Sequence, residues 1–267
     1  MRFSLLCAGL LLAAGTAQAQ VYLSAGPTVG YSYTSFDNGA DNIYLHGPTF
    51  QQHGLWRPQG GLTFNARLGH FALQPSVLFV QKGNESHYTA EGRYQGQVYY
   101  RRFEQSTKIN YLEIPLNLVA SLGREGRGLQ VLAGPYLAVT LSGKEHTRDF
   151  PDGPAPTSTN PELNPSATHE ATWDYTVGKP ENNQGYSPAL RRTDWGGNAG
   201  LGYALGRWQL QATYSRSLRG KPSPTPNPTY AYLPHRTYQL RLSYLLGGQR
   251  EHKLPGFLSF LNLKPAQ

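Results

Sequence analysis

The sequence predicts an all-β protein, and more narrowly an eight-stranded antiparallel up-and-down transmembrane β-barrel. Apolar and polar residues alternate along eight stretches of about ten residues, a pattern typical of strands with two different faces. The connections between these stretches are alternately very short and very long. The composition, with Gly 30, Pro 20, Tyr 18 and a mean hydropathy of −0.49, favours a turn-rich β-protein over a helical one.

The N-terminal residues are typical of a secretory signal peptide. Arg2 precedes the apolar run LLCAGLLLAAG, and the small-residue pattern AQA follows it. Cys7 is the only cysteine, so a chain without this segment has no thiol for a disulfide or a zinc site. No later stretch approaches the ~18 consecutive apolar residues of a membrane-spanning helix. We divide the chain into a signal peptide (1–19), an outer-membrane β-barrel domain (20–246) and a C-terminal tail (247–267).

The first four predicted strands lie in the N-terminal half. VYLSAGPTVGYSY, from Val21, alternates apolar and aromatic residues with Ser, Gly and Thr. QGGLTFNARLG, from Gln59, and FALQPSVLFVQKG, from Phe71, alternate in the same way. NYLEIPLNLVASLG, from Asn110, has apolar residues at every second position, while its other face carries Glu, Pro and Asn. Each segment is therefore a strand with one apolar and one mainly polar face.

The other four predicted strands follow the same rule. LQVLAGPYLAVTLSG starts at Leu129, and DWGGNAGLGYAL, from Asp194, sets glycines opposite bulky residues. WQLQATYSRSL, from Trp208, and TYQLRLSYLL, from Thr237, set Gln, Thr, Ser and Arg opposite aromatic and aliphatic side chains. A soluble protein would turn the polar face to water, whereas a membrane barrel turns the apolar face to lipid.

The connections predict the topology and the orientation of the barrel. Short turns are expected at 69–70, 123–128 and 206–207, and long loops at 36–56, 84–106, 143–191 and 219–235. In bacterial barrels the short turns face the periplasm and the long loops face the exterior. We therefore expect the N- and C-termini in the periplasm and the protein in the outer membrane.

The two faces predict a filled lumen and two aromatic girdles. The inward positions are rich in Gly, Ser, Thr and Gln, which suits the narrow interior of a barrel of about eight strands without an open channel. Interfacial girdles place aromatic residues near strand ends. The outer rim is expected to hold Tyr31, Tyr33, Phe79, Trp195, Tyr214 and Tyr238, and the inner rim Phe71, Tyr203, Trp208 and Tyr244. Phe64 is the main exception, because it falls mid-strand.

Three strands carry motifs that resemble a known family. These are LQPSVLFVQKG from Leu73, INYLEIPLNL from Ile109 and AGPYLAVTLSG from Ala133. They are similar to the LPELLYSQKG, YLEIPLLL and AGPYxGYLL strands of the PorT-like outer-membrane β-barrel family of Bacteroidota. The resemblance implies an eight-stranded barrel in a family whose members mostly lack an established biochemical role, although a few are tied to type IX secretion and gliding. Thr213 stands where the family often has arginine, and the tail continues beyond the last strand.

Four charged side chains are predicted to point into the lumen: Glu113, Arg241, Arg67 and Lys82. A buried charge must be paired or neutralised. Because Glu113 and Arg241 both fall mid-strand, we expect them to pair across the lumen, with Arg67 or Lys82 nearby. The preferred interpretation is a structural salt-bridged plug, and the alternative is an ion or proton path.

The histidines raise metal and acid–base hypotheses. Six of the eight fall in predicted outer loops: His46, His53, His87, His146, His169 and His235. No pair has the short regular spacing of a ligand set, so no metal site is expected. His146 with Asp149 and His169 with Glu170 are candidate acid–base pairs, but no serine lies in a GxSxG setting. We therefore assign no catalytic residue and no cofactor.

The partners are less well specified. The formal charge of +8 comes from dispersed basic residues, so lipid headgroups are favoured over nucleic acid. Tyr230 and Tyr232, in a Pro-rich outer loop, are a candidate contact patch. The expected partners are outer-membrane lipid and an extracellular or periplasmic protein or glycan, and the chain is expected to be a monomer.

The sequence thus predicts a barrel with a structural or surface-interaction role through its long outer loops. A secreted lipocalin-like binder of small ligands is one alternative, with an apolar interior and a polar exterior. A barrel enzyme that modifies lipid or peptide is the other. Fold alone does not decide function.

Overall fold

The computed structural model describes residues 21–36, 51–123, 126–158, 164–178, 189–218 and 235–247. Within these ranges no helix is long and apolar enough to cross a membrane. The strands are, in chain order, β1 (Val21–Phe36), β2 (Gln51–Leu68), β3 (Phe71–Tyr94), β4 (Gln97–Ser121), β5 (Gly128–Pro151), β6 (His169–Asp174), β7 (Thr176–Val177), β8 (Ala189–Leu190), β9 (Thr193–Leu205), β10 (Trp208–Ser217), β11 (His235–Tyr244) and β12 (Leu246–Gly247).

Eight of these strands close into one antiparallel ring. The order around the ring is β11-β10-β9-β5-β4-β3-β2-β1, and β11 pairs back onto β1, where Tyr33 lies opposite Tyr238. Strands that follow one another in the chain are neighbours in the ring, so the topology is up-and-down. The predicted fold class is confirmed. Ring closure gives each wall strand two partners and satisfies its backbone groups in lipid.

The barrel has two different ends. The turn end carries the tight turns at Gly69–His70 and Gly206–Arg207, where Gly69 and Gly206 have φ of 58° and 59°. Glycine adopts this left-handed conformation without steric cost. The loop end is the opposite rim, where β1 ends at Phe36 and β11 begins at His235.

The faces are those predicted for a membrane barrel. Buried inward positions are mostly polar, as along β10, where Gln209, Gln211 and Thr213 are buried. Their neighbours on the same strand, Trp208 and Leu210, are about half exposed. A lipocalin-like protein needs the reverse arrangement, so that alternative is wrong for this chain.

Aromatic rings cluster near both rims of the wall. At the loop end Tyr214 packs on Tyr238 with ring centroids 5.2 Å apart. At the turn end Trp208 packs on Tyr244 at 4.7 Å. Trp56, which the sequence interpretation left at the end of a loop, belongs to β2 and extends the loop-end cluster. This arrangement is typical of interfacial girdles.

Three strands are much longer than predicted. β3, β4 and β5 contain 24, 25 and 24 residues. The predicted loop at 84–106 is wrong, because β3 and β4 continue as a hairpin to a two-residue turn at Gln95 and Gly96, with φ of 49° and 80°. Above the lipid both faces of a strand are partly hydrated, so the apolar alternation fades while the backbone ladder continues.

The other long connections are also partly strand. β2 begins at Gln51, inside the predicted 36–56 loop, and β6 lies inside the predicted 143–191 loop, paired with β5. The upper parts of β2, β3, β4 and β5, together with β6, form a sheet that rises from the loop end; we call it the outer sheet. An ordered surface therefore replaces the expected 84–106 loop and parts of the expected 36–56 and 143–191 loops.

Candidate functional site

A buried ion pair occupies the loop-end half of the lumen. Nζ of Lys82 lies 2.7 Å from Oε2 of Glu113, and their side chains are 0% and 2% exposed. Gln239 Nε2 donates a hydrogen bond to Glu113 Oε1 at 3.1 Å. Arg241 is buried on the same inward face of β11, and its charge acts on Glu113. Side chains from β3 and β11 thus converge on this carboxylate, which belongs to β4.

His235 links this pair to a second carboxylate. Nζ of Lys82 also lies 2.7 Å from His235 Nε2. An ammonium group has only donors, so Nε2 accepts in this contact. Asp194 Oδ2 lies 3.6 Å from this Nε2 and accepts a hydrogen bond from the Tyr136 hydroxyl at 3.0 Å. Two cations and two carboxylates share this section of the lumen.

Aromatic rings surround the charges. Nζ of Lys82 lies 5.2 Å from the ring centroids of both Tyr111 and Tyr136, which is cation–π distance. Phe36 meets the His235 ring edge to face at 6.3 Å. Gly196 lets the Tyr136 ring lie close to the β9 backbone, because a Cβ at this position would lie 2.6 Å from Cε1 of Tyr136. We call this group the charged seal; it contains Lys82, Glu113, Asp194, His235, Arg241, Phe36, Tyr111 and Tyr136.

Two residues from separate stretches of the chain cover the charged seal from the loop end. Tyr175 and Leu190 pack on its aromatic residues, and the Tyr175 N–H donates to Gly143 O at 2.9 Å. The Tyr175 hydroxyl contacts the carboxyl of Glu145, which also accepts a hydrogen bond from Gln105 Nε2 at 2.7 Å. Burial raises the pKa of Glu145 above its usual range. We call Tyr175 and Leu190 the cap.

Amide side chains fill much of the turn-end half of the lumen. Gln74 Nε2 donates to Gln209 Oε1 at 2.8 Å, and Gln209 Nε2 donates to Gln130 Oε1 at 2.6 Å. Gln211 Nε2 donates to Gln74 Oε1 at 2.8 Å. Gln130 Nε2 extends the chain to Ser121 Oγ at 3.3 Å. These residues form the amide network, which pairs polar groups across the barrel without any charge.

A cavity of ≈ 620 Å³ opens at the turn end beyond the amide network. Its lining includes Tyr22, Ser24, Asn65, Arg67, Arg127, Arg207 and Gln209. Arg67 Nη1 donates to Ser121 Oγ at 3.1 Å, and its guanidinium lies directly against Gly126. Of the two cations expected near Glu113, Lys82 contacts it, whereas Arg67 lies at the opposite end of the lumen, two residues before the turn at Gly69.

Polar contacts order the outer sheet. Arg101 Nε donates to Asp149 Oδ2 at 2.9 Å. Its Nη1 and Nη2 donate to the carbonyl oxygens of Pro165 and Ala167 at 2.7 and 2.9 Å. One guanidinium thus ties the segment before β6 to the face of the sheet. Tyr88 and Phe103 stack across β3 and β4 with centroids 4.8 Å apart.

The closed ring of strands agrees with the protein family that the sequence matches. The family described as "Outer membrane protein beta-barrel domain" matches residues 16–220. The chain belongs to this family. A comparison with curated proteins found no match.

Two solved structures show remote likeness to this outer-membrane barrel. One is Ail, the attachment invasion locus protein of Yersinia pestis, in complex with the heparin analogue sucrose octasulfate: 10% identity, 84% of this chain and 99% of that chain covered, TM-score 0.34. The other is Pseudomonas aeruginosa OpdQ: 9% identity, 85% and 98% covered, TM-score 0.12. Likenesses this remote carry no information on binding or activity.

The barrel rearranges the predicted lumen charges. Glu113 contacts Lys82, and Arg241 lies in the same section without being the contact partner that the sequence suggested. The sequence interpretation missed Tyr136 and Asp194 altogether. Both lie inside the predicted strands LQVLAGPYLAVTLSG and DWGGNAGLGYAL, and alternation places both on the inward face, so reading the inward positions of these strands would have found them.

His235 corrects a second prediction. It was expected in an outer loop, but it is the first residue of β11 and is 1% exposed. It lies two residues before Thr237 and therefore shares its inward face. The strand begins at His235, two residues before the Thr237 at which the predicted strand starts.

The other predicted residues are not brought together as expected. His146 Nε2 lies 3.3 Å from Glu170, whereas Asp149 pairs with Arg101 instead, so neither sequence-based acid–base pair forms. Among the described residues no three His, Cys, Asp or Glu side chains are grouped to hold a metal ion. His46, Tyr230 and Tyr232 lie outside the described residues, as do 1–20 and 248–267.

Proposed function

We propose that this protein is a non-conducting outer-membrane barrel that presents the outer sheet to the cell exterior as an interaction surface. The observation that carries the proposal is strand length. β3, β4 and β5 contain 24 or 25 residues, whereas a tilted strand crosses a bilayer with roughly 9 to 11. The excess has no role in crossing the membrane and forms an ordered surface above it.

The filled lumen supports the non-conducting part of the proposal. The side chains of Lys82, Leu78, Ile109 and Glu113 are essentially inaccessible to solvent, and they come from adjacent wall strands. An ion would have to displace the buried ion pair and the rings that surround it. The charged seal is accordingly a structural plug in this proposal, and ion or proton conduction is not its role.

The composition of the outer sheet supports a protein or glycan as the partner. Tyr100 is 49% exposed near the hairpin tip, where Val98 and Arg93 are also exposed. Tyrosine and arginine are enriched where proteins bind each other, because both combine a large contact area with polar groups. The Arg101 contacts hold the sheet in one conformation, which lowers the entropic cost of binding.

The proposal also covers the orientation of the barrel, its oligomeric state and its relationship within the family. The loop end faces the exterior and the termini face the periplasm, as the long outer strands favour. The chain acts as a monomer without catalytic residues or a cofactor. The LQPSVLFVQKG, INYLEIPLNL and AGPYLAVTLSG motifs support a PorT-like relationship within the family.

The test uses a variant in which an Asn-Gly turn replaces residues 87–104. Ser86 and Gln105 are cross-strand partners, so a two-residue turn can join them without changing the register of the wall. An epitope tag between Gln95 and Gly96 of the full chain should be accessible on intact cells. The shortened variant should still be heat-modifiable on a gel, and it should lose binding on arrays of extracellular proteins and glycans.

Two results would contradict the proposal. One is a tag that reacts only after the outer membrane is permeabilised, which would reverse the orientation. The other is a shortened variant that binds every array ligand as well as the full chain does. Arg207→Gln, at the turn end, is the matched control and should bind as the wild type does.

A further inference from the structure

The turn-end cavity has a positively charged lining. Arg67, Arg127 and Arg207 all line it, and none of the described residues in its lining is Asp or Glu. The three arginines come from separate parts of the wall: β2, the turn before β5 and the turn before β10. The volume of ≈ 620 Å³ falls within the range of small-molecule sites, roughly 300–1,000 Å³. The cavity therefore has the size and the charge of a site for a small anion.

Arg67 is a buried cation in this lining. It is 9% exposed, and its one hydrogen bond to a described residue goes to the neutral hydroxyl of Ser121. No carboxylate of a described residue acts on its charge. A guanidinium group cannot lose its proton in a protein, so burial does not neutralise it. A buried charge of this kind is stable when an anion pairs with it.

The cations of the charged seal are paired differently. Lys82 lies 2.7 Å from the Glu113 carboxylate, and the same carboxylate acts on the charge of Arg241. The barrel thus supplies a counter-charge from its own wall where the lumen is closed. Arg67 instead lines a cavity that opens at the turn end. Its counter-charge can come from a molecule that enters this cavity.

Two neighbours hold the Arg67 guanidinium in place. Nη1 donates to Ser121 Oγ at 3.1 Å, and the guanidinium lies against Gly126, where any Cβ would overlap it. Gly126 has φ of 75°, which glycine adopts without steric cost. Nε and Nη2 of Arg67 make no hydrogen bond with a described residue, so both are available to a ligand. The side chain is therefore ordered in advance with donors directed at the cavity.

Ser24 provides a second donor in the same lining. It lies opposite Asn65 across β1 and β2, and its hydroxyl accepts a hydrogen bond from Asn65 Nδ2 at 3.2 Å. A hydroxyl that accepts in this way still has its own O–H to donate. An anion on Arg67 can thus bind both a charged and a neutral donor.

We propose that the turn-end cavity binds a small water-soluble anion, a phosphate or carboxylate compound whose charged group contacts Arg67. The planar guanidinium fork matches either oxyanion through two parallel hydrogen bonds. Arg127 and Arg207 are exposed at the mouth and attract an anion towards it. The wall strands separate the cavity from lipid, and the amide network separates it from the charged seal. The ligand therefore enters from the water at the turn end.

The experiment titrates the refolded full chain with inorganic pyrophosphate and, separately, with citrate. Isothermal titration calorimetry in a phosphate-free, non-ionic detergent measures the Kd of each probe. The variants are R67Q, R67K and R207Q. R216Q is the matched control, because Arg216 is exposed on the outward face at the loop end. Heat-modifiability on a gel shows that each variant is folded before it is titrated.

We expect the wild type to bind at least one of the two probes. R67Q should raise that Kd about ten- to hundredfold, because a hydrogen bond between charged groups contributes roughly that factor. R67K should raise it less, since lysine keeps the charge and loses the fork. R207Q should have the smallest effect, because water screens an exposed cation. R216Q should bind as the wild type does.

The proposal is overturned if the wild type binds neither probe, or if R67Q binds both as tightly as the wild type. Should R67Q fail to refold, an unchanged Kd in both R67K and R207Q overturns it equally.

This inference is independent of the proposed surface function, because the cavity and the outer sheet lie at opposite ends of the barrel. A wild type that binds array ligands but neither probe counts against the cavity site alone. Probe binding that depends on Arg67, without any array binding, counts against the surface function alone.

Discussion

The two halves of the lumen are filled by different chemistry. The loop-end half contains Lys82, Glu113, Asp194 and Arg241, enclosed by aromatic rings and covered by the cap. The turn-end half contains the amide network and opens into a cavity of ≈ 620 Å³. The loop-end half is held by a buried ion pair, whereas the turn-end half is held by buried neutral amides, with Arg67 beside the cavity.

This difference predicts where the barrel is most sensitive to substitution. Removing one member of a buried ion pair leaves an uncompensated buried charge, whereas removing one amide leaves only neutral groups unpaired, which costs less. The loop-end half should therefore respond strongly to single changes and weakly to matched double changes. The turn-end half should respond weakly to both.

The largest expected effect is that of Glu113→Ala. It leaves Lys82 and Arg241 buried without their carboxylate, so the free energy of unfolding should fall by about 3–5 kcal/mol. A urea titration of the protein refolded into lipid vesicles measures it. A loss below about 1 kcal/mol would mean that the ion pair is not part of the seal.

The double variant Lys82→Met with Glu113→Leu tests whether the loss in Glu113→Ala comes from the unpaired charge. It removes one cation and one anion together and replaces them with apolar groups of similar size, so most of the lost stability should return. The difference between the double and single variants measures how strongly the two side chains are coupled. Additive losses would show that each side chain acts independently.

Gly196→Ala tests the packing of the charged seal without changing a charge. The added methyl group would lie 2.1 Å from Arg216 O and 2.6 Å from the Tyr136 ring. Overpacking of this kind costs about 1–3 kcal/mol. Gly60→Ala is the matched control, because its Cβ would have only Thr28 O nearby, at 3.6 Å, and it should be close to neutral in the same titration.

Gln74→Leu tests the amide network. It removes the hydrogen bonds that Gln74 makes with Gln209 and Gln211, and the expected loss is about 1–3 kcal/mol, since the groups left unpaired are neutral. A loss as large as that of Glu113→Ala would erase the distinction between the two halves of the lumen.

The smallest expected effect is the pH dependence of the cap. Burial raises the pKa of Glu145, so the folded cap binds the proton more tightly than the open form does. Cap stability is therefore fully present below about pH 4.5, the usual pKa of the side chain, and declines as pH rises through the raised pKa.

Hydrogen exchange of the Tyr175 amide measures this effect. After correction for intrinsic rates, protection should be greater at low pH than at neutral pH. Glu145→Gln should remove the difference, since it leaves no carboxyl to titrate. An unchanged pH dependence in that variant would place the titrating group elsewhere.

The sequence predicted the barrel because lipid imposes one rule on every wall strand. Alternation is strict where one face meets hydrocarbon, as from Leu112 to Leu122, so strand number, order and inward faces could all be predicted. Above the membrane neither face of a strand meets hydrocarbon, so strict alternation is no longer required. There the β3–β4 hairpin has no apolar face, and its turn at Gln95 and Gly96 does not have the usual Asn-Gly signature.

The lumen partners could be predicted only in part. Alternation places Glu113, Lys82 and Arg241 inside the barrel, but contact across the lumen depends on the stagger of the strands. That stagger decides whether Glu113 meets Lys82 or Arg241, whereas Arg67 lies at the turn end because it comes two residues before the predicted turn at 69–70. No local pattern of residues specifies the stagger of a whole barrel.

The most direct test of this account is a planar-bilayer recording of the refolded, heat-modifiable wild-type protein. We expect no conductance steps above the lipid background, because the charged seal and the amide network fill the lumen. Reproducible steps in the wild type would contradict it, since they would require a continuous aqueous path past Lys82 and Glu113.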